Sequence, residues 1–185
     1  MEFTFVSGHI ALDLAATLTW RTSRPIELLA DPSDLAAWID QAGVAHLSGD
    51  IRANDLVRAR ELREAVYRTA SAAVYARRPD PADLALLGRV ASGAPVSPVL
   101  EGLGEAVWRG DLDQVLATVA HEACVLLGGP GHLRIRACSG TPCTRLFLDH
   151  SRAGSRRWCD KLTCGGRVNA VAYRRRRADR SPHRA

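Results

Sequence analysis

The sequence predicts a mainly α N-terminal domain with short β elements, followed by a small α+β C-terminal module made of a β-hairpin plus a helix. Three observations lead there. Two "DP-x-DL" stretches carry helix-start chemistry and sit among apolar residues at helical spacing. A glycine–proline cluster, "GGPG" at 128–131, coincides with a reversal of charge along the chain. Beyond it, four of the chain's five cysteines fall in two close pairs.

The chain opens on two short apolar stretches, "FTFV" and "HIALDLAATL". In the second, Ile10, Leu14 and Leu18 recur at helical spacing. In "DPSDLAAWIDQAG", Asp31 suits an N-cap, Pro32 the first helical position and Gly43 the stop. Asp80 and Pro81 repeat that start. Between them, Ile51 to Arg77 predicts one long helix with an apolar stripe of Leu62, Ala65, Val66, Thr69, Ala70 and Ala73. Glu64 and Arg68 stand at the i,i+4 spacing of a helical ion pair. "SGAPVSP" predicts a loop. Leu112, Val115, Leu116, Val119, Ala123, Leu126 and Leu127 mark a further amphipathic helix, ended by the glycine–proline cluster. Trp20, Trp38 and Trp108 are expected in the core, as is the lone Cys124.

After the cluster, "HLRIRAC" alternates as a strand and "TRLFLDH" is its expected hairpin partner. Phe147 and Leu148 then point to opposite faces, so one packs on the cysteines. Trp158 reads as core for this small unit. From about Lys161 a helix is expected, with Val168, Val171 and Ala172 inward. The resulting division is 1–130 for the helical domain, 131–178 for the cysteine module and 179–185 for a basic flexible tail.

Composition narrows the function. The chain has 185 residues, 46% of them apolar, enough for one ordinary domain plus a small module. No stretch approaches the roughly 20 apolar residues of a membrane helix. The N-terminus lacks the basic start of a signal peptide and carries Glu2 and Asp13, so it reads as folded structure. A cytoplasmic, reducing setting follows as the expectation. The net charge of +5 conceals an asymmetry. Met1–Gly131 holds 11 Arg against 17 Asp and Glu, whereas His132–Ala185 holds 13 Arg and one Lys against three Asp. An acidic body with a basic end, −6 against +11, points to a polyanionic partner for that end alone.

Cys138 and Cys143 form one pair, Cys159 and Cys164 the other, with fifteen residues between. Structural zinc takes four tetrahedral ligands, commonly as two close pairs bridged by a loop. A reducing compartment disfavours disulfides, and redox or iron sites more often use Cys-x-x-Cys. One structural Zn2+ is the favoured reading over those alternatives. Four cysteine ligands leave no open position, so the ion would hold shape and do no chemistry. Zinc with four thiolates is formally −2, and Arg156, Arg157, Lys161 and Arg167 lie close enough in sequence to offset it. The arginines exceed that requirement. Arg152, Arg156 and Arg157 share the inter-pair loop with Ser151 and Ser155, a phosphate-contact composition. With Arg167, Arg174 and Arg175 they form the candidate nucleic-acid-binding set, while Arg180 and Arg184 read as solvated tail.

In the N-terminal domain, His9 and Asp13 stand four apart and are the candidate small-molecule site, with a structural pair as the simpler reading. "HEACV" at 121–125 lacks the second His of a zinc-protease helix, and no nucleophile elbow, phosphate loop or dinucleotide fingerprint is present. The chain is expected not to be an enzyme.

The stretch "RACSGTPCTRLFLDHSRAGSRRWCDKLTCGGR", with its cysteine frame, "LFLD", "SR-x-G-SRRWC" and Cys-Gly-x-Arg ending, resembles the CGNR zinc-finger family of bacterial proteins. In that family the finger follows an N-terminal ABATE domain, here resembled by "GHIALDLAATLTWR" and "ELLADPSDLAAWIDQAG". The resemblance implies a stress-related transcription regulator with a DNA-binding finger. Two positions depart from the family pattern. Gly166 replaces the Asn of Cys-Gly-Asn-Arg, where a positive φ would favour glycine. Ala16-Thr17 stands where the family often has Asn-Thr. The expected protein is a cytoplasmic DNA-binding regulator whose N-terminal domain senses a small-molecule effector or forms a homodimer. RNA binding by the same surface is one alternative. A protein-interaction module whose basic face docks an acidic partner, possibly its own N-terminal domain, is the other.

Overall fold

A computed structural model of the chain describes residues 2–167 and Ala170. The expected inward Val168, Val171 and Ala172, the candidate Arg174 and Arg175, and the tail 179–185 lie outside the described residues.

Local chemistry sets most of the helices. Helix α1 (Ile10–Ala15) is capped by His9, whose ring nitrogen accepts from the Ala11 amide at 3.3 Å. It ends earlier than its apolar spacing predicts. Leu18 instead opens β1 (Leu18–Thr19), which pairs antiparallel with β2 (Ile26–Glu27). Helix α2 (Pro32–Ala42) has a reciprocal cap: the Asp31 side chain accepts from Ser33 and Asp34 amides, and Asp34 accepts from the Asp31 amide. Gly43 ends it in the left-handed region at φ 64°. A short β3 (His46–Leu47) leads to the long α3 (Ala53–Val74), and Asp80 with Pro81 opens α4 (Pro81–Ala91).

The next segment departs from expectation. Strands β4 (Ser97–Gly102) and β5 (Glu105–Gly110) form a hairpin beginning inside the expected loop. β5 also pairs in parallel with β3, giving a three-stranded sheet in the order β3-β5-β4. The hairpin projects into solvent, so Trp108 is 48% exposed and is not core, in contrast to Trp38 at 1%. Asp111 then caps α5 (Leu112–Gly128).

Helices α1, α2, α3 and α5 enclose the main core around Leu14, Trp38, Leu62, Val66, Val115 and Val119. α4 closes one side through Leu87. The expected Glu64–Arg68 pair does not form. Glu64 binds Arg21 through both carboxylate oxygens, at 2.5 and 3.1 Å, and accepts from Arg63 at 2.8 Å. Arg68 instead grips the buried Asp83 of α4 with two bonds, at 2.8 and 2.6 Å. Tertiary partners outcompete the local pair because they offer the two-pronged geometry a guanidinium favours.

After α5 a 3₁₀ turn (Pro130–Arg134) precedes β6 (Ile135–Ala137), which is shorter than the alternating stretch predicts. β6 pairs antiparallel with β7 (Leu146–Leu148), the expected hairpin. One face of this hairpin joins the body. Ile135, Leu146 and Leu148 are buried with Leu12 of α1, Ala70 of α3 and Leu126 of α5. This second cluster fixes the cysteine-bearing end on the helices.

Leu12→Ala, at the centre of that cluster, is expected to cost about 3 kcal/mol in urea unfolding. Burial works against the Glu64 carboxylate, but Arg21 and Arg63 hold its ionisation below the ordinary value of 4.5. A lowered carboxyl stabilises the fold above its unfolded value and loses that contribution as pH falls. Glu64→Gln should therefore cost about 2 kcal/mol at neutral pH, and the difference from the parent should shrink as pH drops below about 4.

Candidate metal centre

The β6–β7 hairpin delivers the first cysteine pair. Cys138 directly follows β6, and its amide donates to the Arg145 carbonyl at 3.0 Å. Cys143 closes the tight turn by donating to Gly140 at 2.7 Å. The second pair comes from the returning chain. Ser139 donates to the Arg157 carbonyl at 2.9 Å, and the Cys159 amide donates to Cys138 Sγ at 3.4 Å. Asp160 then accepts from the Thr163 amide at 2.7 Å, opening a π-helical turn (Lys161–Gly165) that presents Cys164.

All four sulfurs lie within 4.8 Å of one another. Cys143 and Cys159 are 3.8 Å apart, and Cys159 and Cys164 are 3.6 Å apart. A disulfide needs about 2.05 Å, whereas sulfurs about 2.3 Å from a central zinc form a tetrahedron with edges of about 3.8 Å. The donor set therefore fits one structural zinc, held by Cys138, Cys143, Cys159 and Cys164. Four thiolates this close repel one another, and a divalent cation among them offsets that repulsion.

The space around the sulfurs is tight. A Cβ on Gly140 would meet Cys164 Cβ at 3.1 Å and Cys138 Sγ at 3.6 Å. Phe147 is completely buried and packs on Cys159 and Cys164, with Trp158 half-buried beside them. Leu146 and Leu148 face the helices, so β7 alternates between metal centre and body as its sequence predicts.

The inter-pair loop folds around Asp149. This fully buried carboxylate accepts from the Ser151 amide at 2.8 Å and the Arg156 amide at 3.0 Å. Hydrogen bonds from Ser151 hold its carboxyl below the usual range. The loop sorts its arginines. Arg156 turns inward: it donates to the carbonyls of Trp158 at 2.9 Å, Val6 at 3.1 Å and Cys159, with its guanidinium 4.5 Å from the Phe147 ring centre. Arg152, Arg157 and Arg167 are exposed, and Arg157 lies over the Trp158 ring at 5.5 Å.

The Asp13 amide donates to the His9 carbonyl at 2.9 Å, but the two side chains do not pair with each other. His9 caps α1, and its Nε2 stands 3.7 Å from Glu122. Burial lowers the His9 ionisation and raises that of Asp13, which accepts from the Ser7 amide at 2.9 Å and lies 3.7 Å from Arg145. Arg145 is a residue the sequence reading missed. It donates to the Thr4 carbonyl at 2.8 Å, and Thr144 accepts from the Arg21 amide at 3.2 Å. Backbone carbonyls carry no sequence signature, so nothing marked these contacts beforehand. Gly166 adopts φ −60°, ψ −43°, so no left-handed conformation requires glycine there. Among the described residues, a Cβ there would meet the Lys161 carbonyl alone, at 3.9 Å. Gly166→Asn should be accepted without loss of metal or stability.

The purified protein should carry one zinc per chain by elemental analysis. Cys159→Ser should abolish binding and loosen the C-terminal end, whereas Cys124→Ser should keep the metal. Arg156→Ala should destabilise the fold by about 2 kcal/mol, because three carbonyls lose a charged donor.

A family model described as "Putative stress-induced transcription regulator", ABATE, matches residues 8–130. The CGNR zinc-finger model matches residues 134–177. No curated protein matches the chain. Because the first match spans well over half of the sequence and the second covers the four cysteines, the chain belongs to the ABATE family and carries a C-terminal CGNR zinc finger.

Proposed function

We propose that the protein is a regulator, not a catalyst, which binds DNA through the exposed face of its zinc finger. One observation carries this reading. Arg152, Arg157 and Arg167 remain exposed around a centre whose shape the cysteines fix, while the inward Arg156 serves the scaffold. Arginines held on a rigid frame contact phosphates at lower entropic cost than a loose basic tail. Arg174 and Arg175 extend the charge and are proposed to join the same contact. The N-terminal domain is proposed to sense a signal or to mediate dimerisation. Some basic residues do dock on the chain's own body, as Arg145 and Arg156 do on Thr4 and Val6. They are distinct from the exposed set, which leaves that set available to an external polyanion.

The test is duplex DNA affinity measured across salt concentrations. Each phosphate contact should contribute about 0.9 to the slope of log affinity against log salt. Arg152→Ala with Arg157→Ala should lower that slope by about 2 while leaving zinc content unchanged. A slope near zero for the parent protein, or preferential competition by single-stranded RNA, would overturn the DNA assignment.

A further inference from the structure

A cleft of about 270 Å³ lies where the start of the chain meets the metal-bearing end. Val6, Leu18 and Trp20 give it apolar walls, and Cys143, Cys159 and Cys164 line it from the metal side. Arg145 and Arg167 line it as well, and no carboxylate does. Trp20 holds φ 50°, a left-handed backbone that bulky residues rarely adopt.

The Arg145 guanidinium is held by one corner. Its Nη1 donates to the Thr4 carbonyl at 2.8 Å and to Ser7 Oγ at 3.4 Å, and lies 3.7 Å from Asp13. Its Nε and Nη2 have no hydrogen-bond partner among the described residues. Neither is sealed from solvent: among the described residues, the fully buried side-chain atoms without a partner are Arg21 Nε and Thr69 Oγ1. The Arg145 side chain is 13% exposed, and it borders this cleft. Nε and Nη2 form the edge of a guanidinium that takes a carboxylate through two parallel bonds. Arg68 shows that grip in the same chain, donating from Nε and Nη2 to the two oxygens of Asp83 at 2.8 and 2.6 Å. Arg145 presents the same edge with no protein acceptor on it. Arg167, exposed at the cleft, likewise makes no hydrogen bond or ion pair among the described residues.

We infer that this cleft is a binding site for a small carboxylate with an apolar body, gripped side-on by Arg145 with Arg167 as the second cation. The bonds at Nη1 hold the guanidinium in place before a ligand arrives, which lowers the cost of binding. Trp20, Leu18 and Val6 receive the apolar part, in the usual pairing of apolar walls with a few placed polar groups. With zinc bound, the neighbouring four-thiolate centre is formally −2. That tempers the positive field and favours a single negative charge over a polyphosphate. The ligand would touch residues 6–20 and 143–167 together, so its binding would be coupled to the seating of the finger on the helices. The inference does not depend on the nucleic-acid reading, since its test contains no DNA.

The probe is benzoate, titrated into zinc-loaded full-length protein at constant ionic strength, with neutral benzamide as its control. The Arg145 Nε–H resonance should shift saturably with benzoate, and benzamide should bind at least tenfold more weakly. Affinity in the variants is read by saturation transfer to the benzoate protons. Arg145→Lys keeps the charge and loses the fork, so it should weaken benzoate at least fivefold. Arg167→Gln removes a side chain with no partner to lose, so it should weaken benzoate about threefold and leave the thermal midpoint and zinc content unchanged. This second variant decides the outcome if Arg145→Lys disturbs the fold. No saturable shift, an equal response to benzamide, or undiminished affinity in Arg167→Gln overturns the inference. Loss of the salt-dependent DNA affinity with the benzoate response intact overturns only the regulator reading.

Discussion

Four thiol sulfurs within 4.8 Å of one another cannot all ionise unless a cation lies among them. That requirement organises the C-terminal end of the chain. The module is too small to bury much apolar surface by itself, so metal coordination supplies folding energy that a core would supply elsewhere. The remaining features follow from closing the chain around one point. Gly140 is small because Cys164 passes beside it. The Cys159 amide reaches Cys138 Sγ, and Phe147 fills the space beneath the second pair.

The metal centre is joined to the helices by a strand only three residues long. β7 places Phe147 against the cysteines and Leu146 and Leu148 against α1, α3 and α5. Strand periodicity thus bonds two cores through one backbone. The arginines reinforce this junction from within. Arg156 gathers carbonyls from the second knuckle and from Val6, and Arg145 reaches Thr4 beside the buried Asp13. Carbonyls at tight turns have no ladder partner, and a guanidinium with five donors can satisfy several at once. Positive charge at this end therefore has two physical uses, and exposure separates them.

What the sequence disclosed was the chemistry that acts over a few residues. Asp31 with Pro32, and Asp80 with Pro81, open their helices as read, because capping is settled within one turn. The cysteine frame was legible from spacing, and the alternation of β7 from its apolar pattern. The β4–β5 hairpin was not. Most of its residues are exposed, so no in-and-out alternation marks it, and its first two residues, Ser97 and Pro98, fall in the "SGAPVSP" stretch that reads as loop. Trp108 was assigned to the core by residue type, yet it sits on that hairpin. Arg156 was grouped with its neighbours by charge, but its direction is set by carbonyls distant in sequence. Thr69 belongs to the apolar stripe of α3 as expected, and only the packed helices reveal that its hydroxyl is unmet.

The bond from Arg145 to the Thr4 carbonyl spans 141 residues, and that from Arg156 to Val6 spans 150. Contacts of such separation close the largest loops a chain of this length allows, and they form late because loop entropy must be overcome first. The helices can collapse around Trp38 without them. The metal-bearing end, in contrast, takes part of its seat from residues 4–8, through the carbonyls of Thr4, Val6, Ser7 and Gly8. The zinc finger is therefore topologically the clasp of the fold, and a finger excised at the glycine–proline cluster would lack the strand of chain that its own arginines were positioned to hold.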